Sequence, residues 1–310
     1  MDDNGIAVIL QQAGCTGTLC VRSLDDGAEV AFRADEPAVS ASVVKVQVAL
    51  EVESRIACGL LDPRRPVRVG ADDRTPGPTG ISLFDDDAVV SLRDLVVLML
   101  SISDNAATDV LVREVGVDTL NASAARLGLR GTVVVSDIRQ LVDSVGEDIG
   151  FGDWAEATAW AAQASPDQLA DADERLMNSR ALDPSRATRT TARDMVDLLD
   201  LVWSDRAGPP AACARVRDVL ARQLTRHRIA SGFRPPVRVA AKSGSLMGVV
   251  RNEVGVVTFP DRRRYAAAVF TRTRPGADDG AVSRAIGTAT ARAVAALRGA
   301  EDGAGGRAAG

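Results

Sequence analysis

The stretch Ala41-Ser42-Val43-Val44-Lys45-Val46 puts a hydroxyl and an amine three residues apart, where an apolar helical pattern begins. On a helix, positions i and i+3 share a face, so the Ser42 oxygen and the Lys45 nitrogen can meet. Of the 37 lysines and arginines in the chain, only Lys45 and Lys242 are lysines; the other 35 are arginine. Arginine serves wherever only a positive charge is wanted, but it does not release its proton. A crowded or buried lysine can become a neutral base. The two retained lysines are therefore the first places to look for chemistry.

Outward from this stretch, the apolar pattern continues to about residue 57 and closes near Gly59. Upstream, residues 5–13 read as a short apolar helix. Residues 17–22 alternate as a strand, Asp25-Asp26-Gly27 is a hairpin turn, and residues 28–32 form the return strand. Downstream, the Pro/Gly-rich residues 63–80 mark a change of lobe. Ser91-Leu92-Arg93-Asp94 reads as a capping box opening a helix over 95–102, and Ser103-Asp104-Asn105 separates it from a helix over 106–115. Asp118 is expected to cap a helix over 119–127, ended by Gly128. Residues 131–189 carry the weakest periodicity: an apolar-acidic segment over 141–149, a helical stretch over 154–164 and a polar loop. Helices are expected from Thr190 or Thr191 to Trp203 and over 209–227. Three strands follow over 237–242, 249–259 and 265–273, the last two joined by Pro260-Asp261-Arg262-Arg263. An alanine-rich amphipathic helix over 281–297 closes the fold.

Strands at both ends and helices between them predict an α/β (α+β) fold. An antiparallel sheet would be built from both chain ends with flanking helices, plus an inserted all-helical lobe. The expected boundaries are 1–60 and 206–298 for the α/β lobe, 61–205 for the helical lobe, and 299–310 for a disordered tail. A cleft between the lobes is the default site.

Composition narrows the function. A net charge of −5, a pI near 5.1 and basic residues scattered among acids argue against nucleic acid, and 3% aromatics leaves few stacking platforms. The longest apolar run, residues 95–100, is too short to span a membrane, and Met1-Asp2-Asp3-Asn4 lacks the basic start of a signal peptide; the expected location is cytoplasmic, or secreted if a leader has been removed. Cys15, Cys20, Cys58 and Cys213 with the single His227 do not make a zinc set and read as free buried thiols. No cofactor or metal is expected.

Three motifs carry the chemistry: Ser42-x-x-Lys45, Ser103-Asp104-Asn105 between two helices, and Lys242-Ser243-Gly244 at the end of a strand. Each alone is an ordinary cap, junction or edge. In this order and context they resemble the class A serine β-lactamases and penicillin-binding proteins, over about residues 17–297. The resemblance implies that Ser42 is the acyl-accepting nucleophile at a helix N-terminus. Lys45 would be its base, with a pKa lowered by burial and by Lys242. Ser103 would pass a proton to the departing nitrogen, and Asn105 would bind a substrate amide or hold Lys45. The backbone N–H groups of Ser42 and Ser245 would form the oxyanion hole, with Gly244 allowing close approach. Lys242, Ser243 and Arg251 would bind a substrate carboxylate.

The family also uses a loop glutamate to activate water. Glu174-Arg175-Leu176-Met177-Asn178 matches its E-x-x-x-N pattern, although Ala172 replaces the arginine of the loop's neck. Aligning through Leu127-Gly128-Leu129 instead places that position near residues 137–139. A Ser-His-Asp triad would need His227, which lies among arginines, and the single Tyr265 follows three arginines at a strand start.

The expected function is therefore a monomeric serine hydrolase opening a small-molecule β-lactam, amide or ester through an acyl-Ser42 intermediate. One alternative is a cytoplasmic acyltransferase, transpeptidase-like enzyme or esterase with slow deacylation. Another is a non-hydrolysing β-lactam- or peptide-binding sensor.

Overall fold

The two ends of the chain are zipped together in one five-stranded antiparallel sheet of order β2-β1-β9-β8-β7. Its strands are β1 (Cys15–Ser23), β2 (Glu29–Phe32), β7 (Arg238–Leu246), β8 (Val250–Thr258) and β9 (Arg264–Thr273). The computed structural model describes residues 3–274 and 276–305. In the register, Cys20 lies opposite Ala268 and Lys242 opposite Val254.

Period-two alternation sends side chains to opposite faces. On β9, Ala266, Ala268 and Phe270 enter one core while Tyr265, Ala267 and Val269 enter the other. A strand buried on both faces reads as a continuous apolar run, which is how residues 265–270 appear in the sequence.

The second face is covered by α1 (Asp3–Gln12) and α11 (Asp279–Gly305). Their Ile6, Leu10, Val282, Ile286 and Ala293 pack with Leu19, Val21 and Val257. The last helix runs past residue 299, so the disordered tail expected from there is helical to Gly305; residues 306–310 lie outside the described residues.

The first face carries the helices. The segment containing Ser42 is a 3-10 turn over Ala41–Val44, and α2 (Lys45–Ala57) begins only at the lysine. Next come α3 (Leu92–Ser101), capped by Ser91, and α4 (Asn105–Val115), capped by Asp104. The third helix thus starts three residues earlier than its apolar run suggested. In α5 (Val117–Arg126) the N-cap is Gly116, and Asp118 lies in the first turn rather than capping. Then α9 (Ala192–Trp203), within the span expected for the helical lobe, packs on β1, β8 and β9. Beside it, α10 (Pro210–Leu220) packs on α2, α3 and α9.

The region of weakest periodicity holds α6 (Ile138–Ile149), α7 (Trp154–Ala161) and α8 (Pro166–Met177). The expected polar loop is largely α8. It has a full capping box, Ser165 with Gln168, and Pro166 in its first turn, but buries none of its residues. A helix with so few apolar residues reads in sequence as polar rather than as a core helix. Two short ladders were also not anticipated: β3 (Ala38–Val39) with β6 (Arg189–Thr190), and β4 (Pro66–Val69) with β5 (Ala88–Ser91). Among the cysteines, Cys15, Cys20 and Cys213 are buried thiols as expected, but Cys58 is exposed.

Candidate active site

Ser42 is half-buried on its 3-10 turn, anchored by the buried Val43 and Val44 behind it. Ala41, just before it, has φ +47°, a left-handed conformation that costs an alanine strain. The turn is held from below by Asn252 on β8, whose Nδ2 donates to Val39 O at 2.9 Å while its Oδ1 accepts from Thr271 N at 3.1 Å. It is also pressed against β7. A Cβ added to Gly244 would stand 3.1 Å from Ser40 O and 3.2 Å from Ser42 N, so a side chain there would push the turn back by a few tenths of an ångström.

Lys45 is 0% exposed. Its Nζ donates to Ser103 O at 2.7 Å and Asn105 Oδ1 at 2.8 Å, and lies 3.2 Å from Ser103 Oγ. Burial pushes the amine down to about 7, against the pull of the Asp109 and Asp104 carboxylates, which favour the charged form. The expected help from Lys242 is not among these causes. The influence runs the other way: burial first, then the Lys45 charge, push Lys242 well below the lysine range.

The Ser-Asp-Asn junction divides its labour. Asp104 is fully buried and structural, accepting from Ile81 N at 2.7 Å and from Ala107 N at 3.0 Å. Gly80 packs so tightly on it that any side chain there would collide with its carboxylate. Asn105 is fixed between Lys45 and Pro76 O, to which its Nδ2 donates at 2.8 Å. Ser103 sits between them with φ +63°, a non-glycine left-handed residue of the kind that clusters at functional sites.

β7 forms the opposite wall. It continues through Lys242, Ser243 and Gly244 to Leu246, so the motif lies inside the strand rather than at its end. β7 is an edge strand, and its odd residues turn their backbone outward. Val239 O accepts from Arg226 on that side, and Ser243 N donates to Gln223 Oε1. Two residues on, the same alternation turns Ser245 N outward. Lys242 Nζ donates to Ser243 O at 2.7 Å.

Arg251, on β8 opposite Ser245, forms an ion pair with Asp279 at 2.7 Å. A second guanidinium was missed in the sequence. Buried Arg228 donates to Gly244 O at 2.8 Å, Asn252 O at 2.6 Å and Ser245 Oγ at 2.6 Å. It hides among Arg226, His227 and the arginines before them, where the exposed His227 drew the attention. Nothing local distinguishes it; the signal is its arrival beside Ser245 through tertiary structure.

Glu174 stands exposed on α8. The pocket wall facing Ala41 and Val44 comes instead from Ser136, Asp137, Ile138, Leu141 and Thr188. Asp137 caps α6, accepting from Gln140 N at 2.8 Å. Asp109, fully buried, fixes the same helix end by accepting from Ile138 N at 2.8 Å and Arg139 N at 2.9 Å. Among the described residues no cluster of His, Cys, Asp or Glu could hold a metal ion.

A sheet made from both chain ends, with helices inserted between, is the class A β-lactamase architecture. An ancestral (GNCA) class A β-lactamase superposes with a TM-score of 0.74 at 20% identity, covering 95% of this chain and 99% of that one. The chain belongs to the Beta-lactamase enzyme family, which it matches over residues 3–297. A β-lactamase from Sphaerobacter thermophilus has a TM-score of 0.75 at 25% identity, covering 96% and 98% of the two chains. In sequence the chain is 33% identical to the β-lactamase regulatory protein BlaB of Streptomyces cacaoi, over 91% of this chain and 93% of that protein. No helix among the described residues is long and apolar enough to cross a membrane.

Proposed function

We propose that the chain opens a β-lactam or related amide by forming an acyl-Ser42 intermediate. The observation that carries this reading is the Lys45 amine: fully buried, brought to about 7, and bonded to Ser103 and Asn105 one helical turn from Ser42. A neutral amine there takes the Ser42 proton as Oγ attacks the carbonyl carbon. The Ser42 and Ser245 N–H groups receive the developing oxyanion. As the C–N bond breaks, Ser103 Oγ gives its proton to the departing nitrogen and is reprotonated from Lys45. The Arg228 and Arg251 guanidinium groups supply the positive charge of the rim that binds a substrate carboxylate, with the Ser243 hydroxyl and the buried Lys242 amine as hydrogen-bonding groups beside them.

Intact-mass spectrometry after incubation with benzylpenicillin tests this. The wild type should gain one adduct on Ser42, and Lys45→Arg should slow its formation about 10²–10⁴-fold, the usual worth of a general base. Absence of an adduct together with no hydrolysis of a chromogenic cephalosporin would overturn the reading.

A second reading concerns the fate of the acyl-enzyme. Glu174 is exposed on α8, and Asp137 is engaged in capping α6. The similarity to a regulatory protein favours a long-lived acyl-enzyme that reports β-lactam rather than destroying it. The ratio of steady-state turnover to the acylation burst separates the two. A single burst with little turnover fits the sensor, and sustained turnover fits the hydrolase. Loss of turnover in Glu174→Ala would return the water-activating role to that glutamate.

A further inference from the structure

The α7–α8 hairpin contributes little to the core: α8 fully buries no residue and α7 only Ala157, although Trp154, Leu176 and Met177 pack partly buried against the cluster around Val145 and Leu182. Its main product is an aromatic cleft. Phe151 and Trp160, both half-buried, meet as a tilted pair with ring centroids 5.0 Å apart and planes inclined at 43°. A groove lies on either side of Trp160, about 430 Å³ towards Glu156 and Gln163 and about 250 Å³ towards Asp171 and Arg175.

The hairpin is also the acidic pole of the molecule. Residues 153–175 hold six carboxylates and one arginine, as much negative charge as the whole chain's net −5. Elsewhere many carboxylates are paired with arginine, as in Arg22–Glu29, Arg193–Asp35 and Arg217–Asp205. None of the six here forms an ion pair among the described residues, and Arg175 is turned to Ile149 O. Glu156 lines one groove and Asp171 the other, and Asp167 and Glu174 stand one turn to either side of Asp171 along α8, at i, i+4 and i+7. Ring faces attract cations, and the carboxylate row supplies the complementary field.

We propose that this cleft docks a basic peptide segment of a partner protein, with one arginine or lysine side chain laid over Trp160 and flanking basic residues on the α8 carboxylates. The site is separate from Ser42, and its test does not require acylation.

Fluorescence anisotropy of fluorescein-labelled octa-arginine, titrated with the full chain, should show saturable one-to-one binding that weakens with salt. Trp160→Ala should weaken it about tenfold, Trp160→Phe should keep most of the affinity, and Asp167→Asn with Asp171→Asn should cost about threefold or more. Melting curves by circular dichroism verify that each variant folds; if Trp160→Ala does not, the Phe and Asn variants decide. Equal affinity in wild type and the Asn double variant, or equal binding of a neutral octapeptide, would overturn the proposal. So would concentration-dependent self-association that the Asn double variant abolishes, because a second copy would then occupy the cleft.

Discussion

At the scale of single residues, Lys45 is where sequence and structure meet most directly. Its retention against a background of arginine marked it as a residue that must titrate, and its burial supplies the reason. The rate of Ser42 acylation should rise through pH about 7 as Lys45 becomes neutral. Asp109→Asn removes the stronger of the two opposing carboxylate influences while leaving an acceptor for the α6 N–H groups, so the rising limb should move to lower pH; stopped-flow acylation across pH 5–9 checks both. Stability carries the same signature. Between about 7 and 10.5 the unfolded chain binds a proton that the folded chain has released, so folding strengthens as pH rises through that window. The melting temperature of the wild type, relative to Lys45→Met, should therefore climb from pH 7 towards 10. The partners of Lys45 were less legible. Asn105 fits a substrate ligand or a lysine holder equally well as a bare sequence, and only its bond to Pro76 O shows it locked in place. Arg228, one arginine among many, could not be singled out before the chain was folded.

At the scale of elements, strands and helices with a buried face were readable, because burial writes a period of two or 3.6 into the sequence. The turns around the site were not. Whether Ser42 starts an α-helix or a 3-10 turn depends on Asn252 and Gly244, both about 200 residues away along the chain. Asn252→Ala should therefore act through that turn, removing its bonds to Val39 O and Thr271 N and costing about 2–4 kcal/mol in urea unfolding. Gly244→Ala should leave the melting temperature nearly unchanged but slow acylation about tenfold or more, since its Cβ pushes directly on Ser42 N. The burial signal is weak for α8 for the opposite reason: only its last turn, at Leu176 and Met177, packs on the core, and no residue of it is fully buried.

At the scale of the whole molecule, the large core does not respect the lobes. It runs from Leu95, Met99 and Leu111 among the helices through Val46 and Leu50 of α2 to Val254, Ala266 and Phe270 on the sheet. The protein should therefore unfold in one cooperative step, with far-UV circular dichroism and tryptophan fluorescence giving coincident transitions. Separate midpoints would show that the helical lobe melts alone. The rims of the sheet carry one more consequence. A bare edge invites another chain to add a strand. One rim here, β2, is four residues long and carries Glu29, held by Arg22 and Arg193. The other, β7, has its outward groups at Val239 and Ser243 already engaged by Arg226, Gln223 and Lys242. What is left of that rim is Ala241 and the short reach around Ser245, next to the Gly244 that presses on the Ser42 turn. A rim guarded in this way against edge-to-edge pairing would still admit one extended guest at its Ser245 end.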